Sequence, residues 1–541
     1  QEKKIFSVQG PYPVIRSLLR ARGWVERKFP SIGRGGGRPE QQHSSQKEQL
    51  QEEEEGKEEE GSDGDGPVPD PVTTVPQSCL VRDQVPYFIW TNRCSVVDCR
   101  RLQHDQVLNH YTGAGAFTTK EGLCLNLRNL SWFEQADPNT FFPRCYRLGS
   151  VDEWEAFIED FHLTAARNLL KMALERAGDT PGGTEQPLKC SEGPGEHSHV
   201  PHPMPSTVGL GAPLPPQLVE EALQICGQHL GSLEHQDIDR NSPSPCMTST
   251  DWHRFLQDYY RVVHEGAGLV LSGAQRERCQ ALLQRLAEQL PQLSMEGDHN
   301  VWILKPGAKS RGRGIVCTAR LEELLRLVGG CPTSLACTGE WVVQKYVERP
   351  LLIFGTKFDI RQWFLVTNWN PLTIWFYRES YLRFCSQPFS LHRLGPARHL
   401  CNVSIQKQCK PAQGRHPQLP PDQIWSSRQL QAYLAQVGQA DTWHQVMVPG
   451  MKAAVVGALR SAQDLVESRK GSFELYGADF LFGEDCQPWL LEINASPTMA
   501  PSSAVTSRLC ARVQRDTLRV VIDHKDNPAC PTGAFELIYK E

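Results

Sequence analysis

The chain has 541 residues, 39% of them hydrophobic, and a formal net charge of -5, so it is long enough for two to four domains and a large buried core. No apolar run approaches the roughly 18 residues of a membrane helix. The 18 cysteines show neither a CxxC nor a zinc-finger spacing, the closest pairs being Cys94/Cys99 and Cys331/Cys337, so a reduced, cytosolic protein is expected.

The chain opens on Gln1, and further N-terminal sequence is expected before it. Residues 5 to 29 carry Phe6, Val14, Ile15, Leu18, Leu19, Trp24 and Val25 around a Pro and Gly turn, which predicts a strand, a helix and a second strand. From Gly33 to Pro76 apolar residues almost vanish. Ten acidic residues between Glu48 and Asp65 face Lys57 alone, and without that run the remainder carries about +4. Such a tract cannot bury enough surface to offset ordering entropy, so residues 33–76 are expected to be a disordered acidic insertion. A mildly basic body suits an acidic partner, although an ordinary surface gives the same balance.

Folding resumes near Gln84 and is expected to complete one N-terminal α/β domain from residues 1–32 and 77–150. Ser150 followed by Glu153 reads as a capping box. Trp154, Phe157, Ile158, Phe161, Ala165 and Leu169 then recur at helical spacing up to Gly178. Residues 178–216 form a second loop, whose His197, His199 and His202 lack a scaffold for a metal. Further helices are predicted at 217–230, 250–264 and 274–290, which makes 151–300 a helical region. After Asn300 the pattern changes to short strands, with a catalytic core expected over 301–503 and a C-terminal segment over 504–541.

In that core Val301–Pro306 predicts a buried strand bearing Lys305, followed by the basic, glycine-bearing loop Ser310–Ile315. Such a loop can cradle phosphate, and a basic surface turn would read the same. Trp341–Val347 is an extended run able to lend backbone groups to a base, as any core strand could. In Lys357–Arg361, alternation puts Lys357, Asp359 and Arg361 on one face and Phe358 and Ile360 on the other. Three charges beside an apolar run suggest a cleft. Finally, Tyr476–Phe482 and Pro488–Asn494 predict a hairpin. With Phe482 facing Gln487, Asp479 faces Leu490, and Glu492 and Asn494 share that face. These oxygens suit Mg²⁺ that also takes waters and phosphate oxygens.

Taken in order, Lys305, Ser310–Ile315, Gln344–Val347, Lys357/Asp359/Arg361, Asp479 and Glu492–Asn494 resemble the ATP-grasp core of the tubulin tyrosine ligase-like family. Ile5–Phe29 and Lys120 resemble the monoglycylases within it. The resemblance implies an α/β (α+β) fold and an ATP- and Mg²⁺-dependent ligase that joins free glycine to glutamate side chains of tubulin C-terminal tails on microtubules. It implies that Lys305, Arg311 and Gly312 hold ATP phosphates, that Gln344, Lys345, Tyr346 and Val347 line adenine, and that Lys357, Phe358, Asp359, Cys401 and Asn402 complete the nucleotide site. Arg361, Arg383 and Glu492 would be catalytic, Arg311 and Ser404 would touch the protein substrate, and Asp479, Glu492 and Asn494 would hold the metal. Neither nucleic acid nor membrane is implied as a partner. Cytoplasm and cytoskeleton, with cilium and axoneme, are the implied locations. A glutamate ligase or polyglycylase of the same fold, and an inactive microtubule-binding protein, are the alternatives.

Overall fold

The computed structural model describes residues 4–29, 77–130, 136–178, 217–234, 247–269, 271–307, 312, 314–329 and 341–541. The acidic tract 33–76, the loop residues 179–216, Ser310 and Arg311 lie outside the described residues. The chain divides into two compact units, Gln1–Asn109 and His110–Glu541.

The first unit follows the expected strand, helix and strand. β1 (Ile5–Val8) leads into α1 (Pro13–Ala21), which begins with proline at its first position, where no backbone N–H is needed. α1 buries Ile15 and Leu19, one turn apart. β2 (Val25–Glu26) pairs parallel to β1. With β3 (Phe88–Trp90) and β4 (Val107–Leu108) they form a parallel sheet of order β2-β1-β3-β4.

The unit boundary falls at Asn109 rather than near Ser150, because residues 110–150 are built into the second unit. Tyr111, Phe117, Leu123 and Leu127 share one core with Phe364 and Tyr476. α2 (Lys120–Arg128) supplies two of those leucines. Cys124 on α2 and Cys145 on β5 (Cys145–Arg147) are joined as a disulfide, an exception to the expectation of reduced cysteines.

Helices α3 (Val151–Gly178), α4 (Gln217–Leu233), α5 (Ser249–Val263) and α6 (Gly273–Gln289) lie where helical periodicity placed them. Phe157, Phe161, Ala165 and Leu169 are fully buried along one face of α3. The capping box expected at its start is replaced: Glu153 accepts hydrogen bonds from the Arg147 backbone and guanidinium instead. Buried Glu296 pairs with Arg144 and Arg167, and Asp160 with Arg144, fixing α3 to the segment before the next strand.

Two sheets form the centre of the second unit. The smaller has the order β5-β8-β6-β7, with β6 (Trp302–Pro306), β7 (Val316–Thr318) and β8 (Trp341–Lys345). The larger is centred on β10 (Thr356–Trp369), a 14-residue strand rich in aromatic and β-branched side chains, as a central strand requires. β9 (Leu352–Ile353), β11 (Leu372–Tyr377), β12 (Tyr381–Phe384) and β14 (Glu474–Phe482) all pair with it. β13 (Ile424–Ser426), β15 (Pro488–Ala495) and β16 (Phe535–Lys540) extend this sheet. The core therefore exceeds the expected 301–503: β5 precedes that range and β16 follows it.

Candidate nucleotide and metal site

The two sheets close on a slot. One wall carries Ile303, Lys305 and Gln344; the other carries Lys357 and Asp359 of β10, Arg383 of β12, and Asp479, Leu481 and Glu492 of the hairpin. Lys345, Tyr346, Val347, His399, Leu400, Cys401, Asn402, Ile315 and Leu491 complete the lining. The apolar members offer surface to a flat base, and the charged members are carried by strands of both sheets, Lys305 by β6 and the others by β10, β12, β14 and β15 beside Lys345 of β8.

Strand register makes the charged end. Arg383 stands directly across from Asp359, and Asp479 directly across from Arg361, both at the centre of the larger sheet. Arg383 binds Asp359 through two bonds of 2.7 Å and reaches Asp479 at 3.0 Å. Arg361 binds both oxygens of Asp479. Burial pushes the Asp479 carboxyl up, but the two guanidinium groups outweigh it and hold the group well below the usual carboxylate range. Burial and the neighbouring charge of Asp479 push Asp359 the other way, above its ordinary value.

The hairpin differs from the expected register. Phe482 pairs with Pro488 and Phe480 with Leu490, and a bulge at Leu491 then sets Glu492 opposite Asp479. The extra residue turns Leu490 away from Asp479 and restores the acidic face. Asn494 Nδ2 stands 3.4 Å from both Asp479 Oδ2 and Glu492 Oε1, so the three side chains converge as expected. Three oxygen-bearing groups on a rigid hairpin fit a hard divalent cation that completes its shell with water and phosphate.

Gly477 opens the space these groups need. A Cβ there would lie 2.9 Å from Arg361 Cδ and 3.1 Å from Pro497 Cβ. Gly477→Ala is expected to displace the Arg361 side chain and to destabilise the unit by about 1–3 kcal/mol. A denaturant midpoint equal to that of the parent would exclude this packing.

Lys305 Nζ donates to Gln344 Oε1 at 2.6 Å, and burial pulls its pKa down to about 8, partly offset by Glu492. Lys357 Nζ donates to Tyr346 Oη at 2.6 Å and to the His399 carbonyl at 2.8 Å. His399 Nδ1 lies 2.8 Å from the same Tyr346 hydroxyl, so a buried chain positions the Lys357 ammonium. Gly312, at φ 75°, brings its loop against the opposite rim: a Cβ there would meet Ile405 Cδ1 at 2.3 Å and Asn402 Oδ1 at 3.0 Å. This is a close approach that only glycine permits.

One expected contact falls elsewhere. The Phe358 ring faces the core, packed with Phe384 and Phe482, because alternation turns it away from Asp359. Lys345 borders the slot, while its ammonium is bound to Glu348 Oε1 at 2.7 Å and to the Glu296, Val301 and Tyr346 carbonyls. Ser404 is exposed on a short helix (Val403–Gln406) beside Asn402. His399, Leu400, Leu481 and Leu491 were not expected. The alternation of β14 that places Asp479 also places Leu481 on the same face, so that signal was present in the sequence. Asp298, His299 and Glu348 form another group of potential ligands, but both Glu348 oxygens are already held by backbone N–H groups and Lys345.

A slot between two antiparallel sheets, with lysines on both walls and a carboxylate pair with an amide at one end, defines the ATP-grasp class. A family model described as the tubulin-tyrosine ligase family matches residues 237–530. The chain belongs to the tubulin-tyrosine ligase family. A protein of Mus musculus named tubulin monoglycylase TTLL3 is 53% identical over 556 residues, covering all of this chain and 59% of its own length. A Danio rerio protein of the same name is 50% identical, with 69% of its length covered. The Mus musculus protein monoglycylase TTLL8 is 45% identical, with 64% covered. The chain thus spans between 59% and 69% of the length of these curated relatives.

Proposed function

We propose that the protein is an ATP-dependent monoglycylase, joining the amine of free glycine to glutamate side chains in tubulin C-terminal tails. The observation that carries this reading is the meeting of Asp479, Glu492 and Asn494 at a slot that Lys305 borders on the facing wall and Lys357 on the same wall as Asp479. The names of the relatives, tubulin monoglycylase and protein monoglycylase, support the choice of glycine and tubulin.

In this reading the apolar lining seats adenine, while Lys305, Lys357 and the Gly312 loop, including Arg311, orient and neutralise the phosphates. Asp479, Glu492 and Asn494 would hold Mg²⁺, which when bound draws off negative charge from the phosphate oxygens. A glutamate carboxylate attacks the γ-phosphorus, breaking the bridging P–O bond and releasing ADP, and the glycine amine then attacks the acyl carbon, losing a proton as the amide forms and phosphate leaves. In the same reading Arg383, which borders the slot, and Arg361, bound to Asp479 behind it, would meet the acyl phosphate or the incoming carboxylate. Cytoskeletal and axonemal locations belong to the same reading.

ATP affinity should depend on pH through Lys305. Below about 8 the ammonium is charged; phosphates favour that form, so binding raises the pKa and affinity falls as pH increases above that value. Loss of one charge-assisted bond predicts a decrease of about tenfold or more. Lys305→Met should bind weakly at every pH, which nucleotide titration by calorimetry at about pH 7 and pH 9.5 would check.

The function is tested by supplying labelled glycine and labelled glutamate in parallel to microtubules with ATP and Mg²⁺, and sequencing the tail peptides by mass spectrometry. Single glycine branches are expected. Glutamate incorporation would replace the activity, and no incorporation despite ATP binding would favour an inactive microtubule-binding protein.

A further inference from the structure

A second cavity, about 480 Å³, opens at the opposite end of β12 from Arg383. Its walls carry Arg378, Arg428, Arg512, Arg515 and Arg519 against only Glu379 and Asp516, leaving three positive charges uncancelled. α7 (Ala504–Leu518) contributes Arg512 and Arg515. Glu379 is divided between Arg428 at 2.8 Å and Arg512 at 2.9 Å. Asp516 is bound by Arg519, by the Tyr377 hydroxyl and by the Ala534 N–H. Arg378 has only a distant pairing with Glu536, at 3.8 Å, and Arg515 has no carboxylate within 4 Å among the described residues. An ordinary surface interleaves its charges; here cations converge on a concavity whose acids are already engaged.

We propose that this groove binds a glutamate-rich stretch of the acceptor tail at a fixed distance from the glutamate being modified, a role that rests on the reading of the protein as a tail-directed ligase. Glu379 lies two residues before β12 and Arg383 lies on it, so the four residues between them span at most ~13 Å at about 3.3 Å per residue. An extended acceptor spans that distance with about four of its own residues. The groove thus selects glutamates that have further acids about four or more positions away. Arginine forks recognise carboxylates in pairs, whereas a neutral or basic segment would leave the groove's cations unpaired.

The test uses the full chain, synthetic tail peptides with one target glutamate, and variants in which the glutamates four or more positions from it are glutamine. Arg378→Glu/Arg515→Glu should raise KM for the acidic peptide about tenfold or more at low salt, with kcat and ATP affinity unchanged. The glutamine peptide should be equally poor for parent and variant. An unchanged KM, or an equal rise for both peptides, would overturn the proposal. If the parent transfers no glycine, the functional reading fails separately, and fluorescence anisotropy of the two peptides then decides the groove. Preferential binding of the acidic peptide, lost in the variant, supports it; equal binding overturns it.

Discussion

Glu492→Gln is expected to abolish glycine transfer, by a factor of about 10² or more, while the protein melts as the parent does. Glu492 is only half-buried, and among the described residues its side chain hydrogen-bonds Asn494, at 3.4 Å. Glutamine keeps the shape and the capacity to accept that bond, so little folding energy depends on the charge. The ion proposed for this site is different, since a neutral amide oxygen is a much poorer ligand for a hard cation than a carboxylate. Turnover retained in a variant with normal melting would remove Glu492 from the metal site.

Asp479→Asn should behave in the opposite way, unfolding the second unit more easily as well as stopping the reaction. Asp479 is buried against two arginines, and removing its charge leaves Arg361 without a carboxylate partner. Breaking a buried pair from one side costs about 3–5 kcal/mol. Replacing both partners, as Asp479→Leu/Arg361→Met, should recover most of that stability, because no uncompensated charge remains, yet should recover no transfer. Urea unfolding of the three proteins checks the order. A double variant no more stable than Asp479→Asn would show that the pair contributes through packing rather than charge.

The difference between these carboxylates explains what the sequence could convey. Alternation along Lys357–Arg361 identified the charged face of β10, since a central strand flanked by Trp363 and Phe364 has no solvent to offer three charges. It equally assigned Phe358 to the other face. Convergence of Asp479, Glu492 and Asn494 was legible from side-chain type and spacing, but the pairing was not, because nothing in Gln487–Leu491 marks the bulge. Lys345 borders the slot with its neighbours Gln344, Tyr346 and Val347, while Glu348, three residues on, binds its ammonium, which only the fold reveals. Arg378 lies more than 130 residues before Arg512 and Arg515, so their convergence depends on strand and helix packing that no local pattern encodes.

The smaller sheet also has a consequence for synthesis. Cys145 of β5 pairs with Gln344 of β8, about 200 residues later in the chain. At roughly 5–20 residues per second, β5 leaves the ribosome on the order of 10–40 s before its partner exists. During that interval its hydrogen-bonding edge is open, and the wall that carries Gln344 cannot form. The helices α3 to α6 emerge in between and can already bury Phe157, Phe161 and their neighbours. The nascent protein therefore waits as a helical body with an unfinished strand, and its nucleotide slot is among the last parts to be assembled.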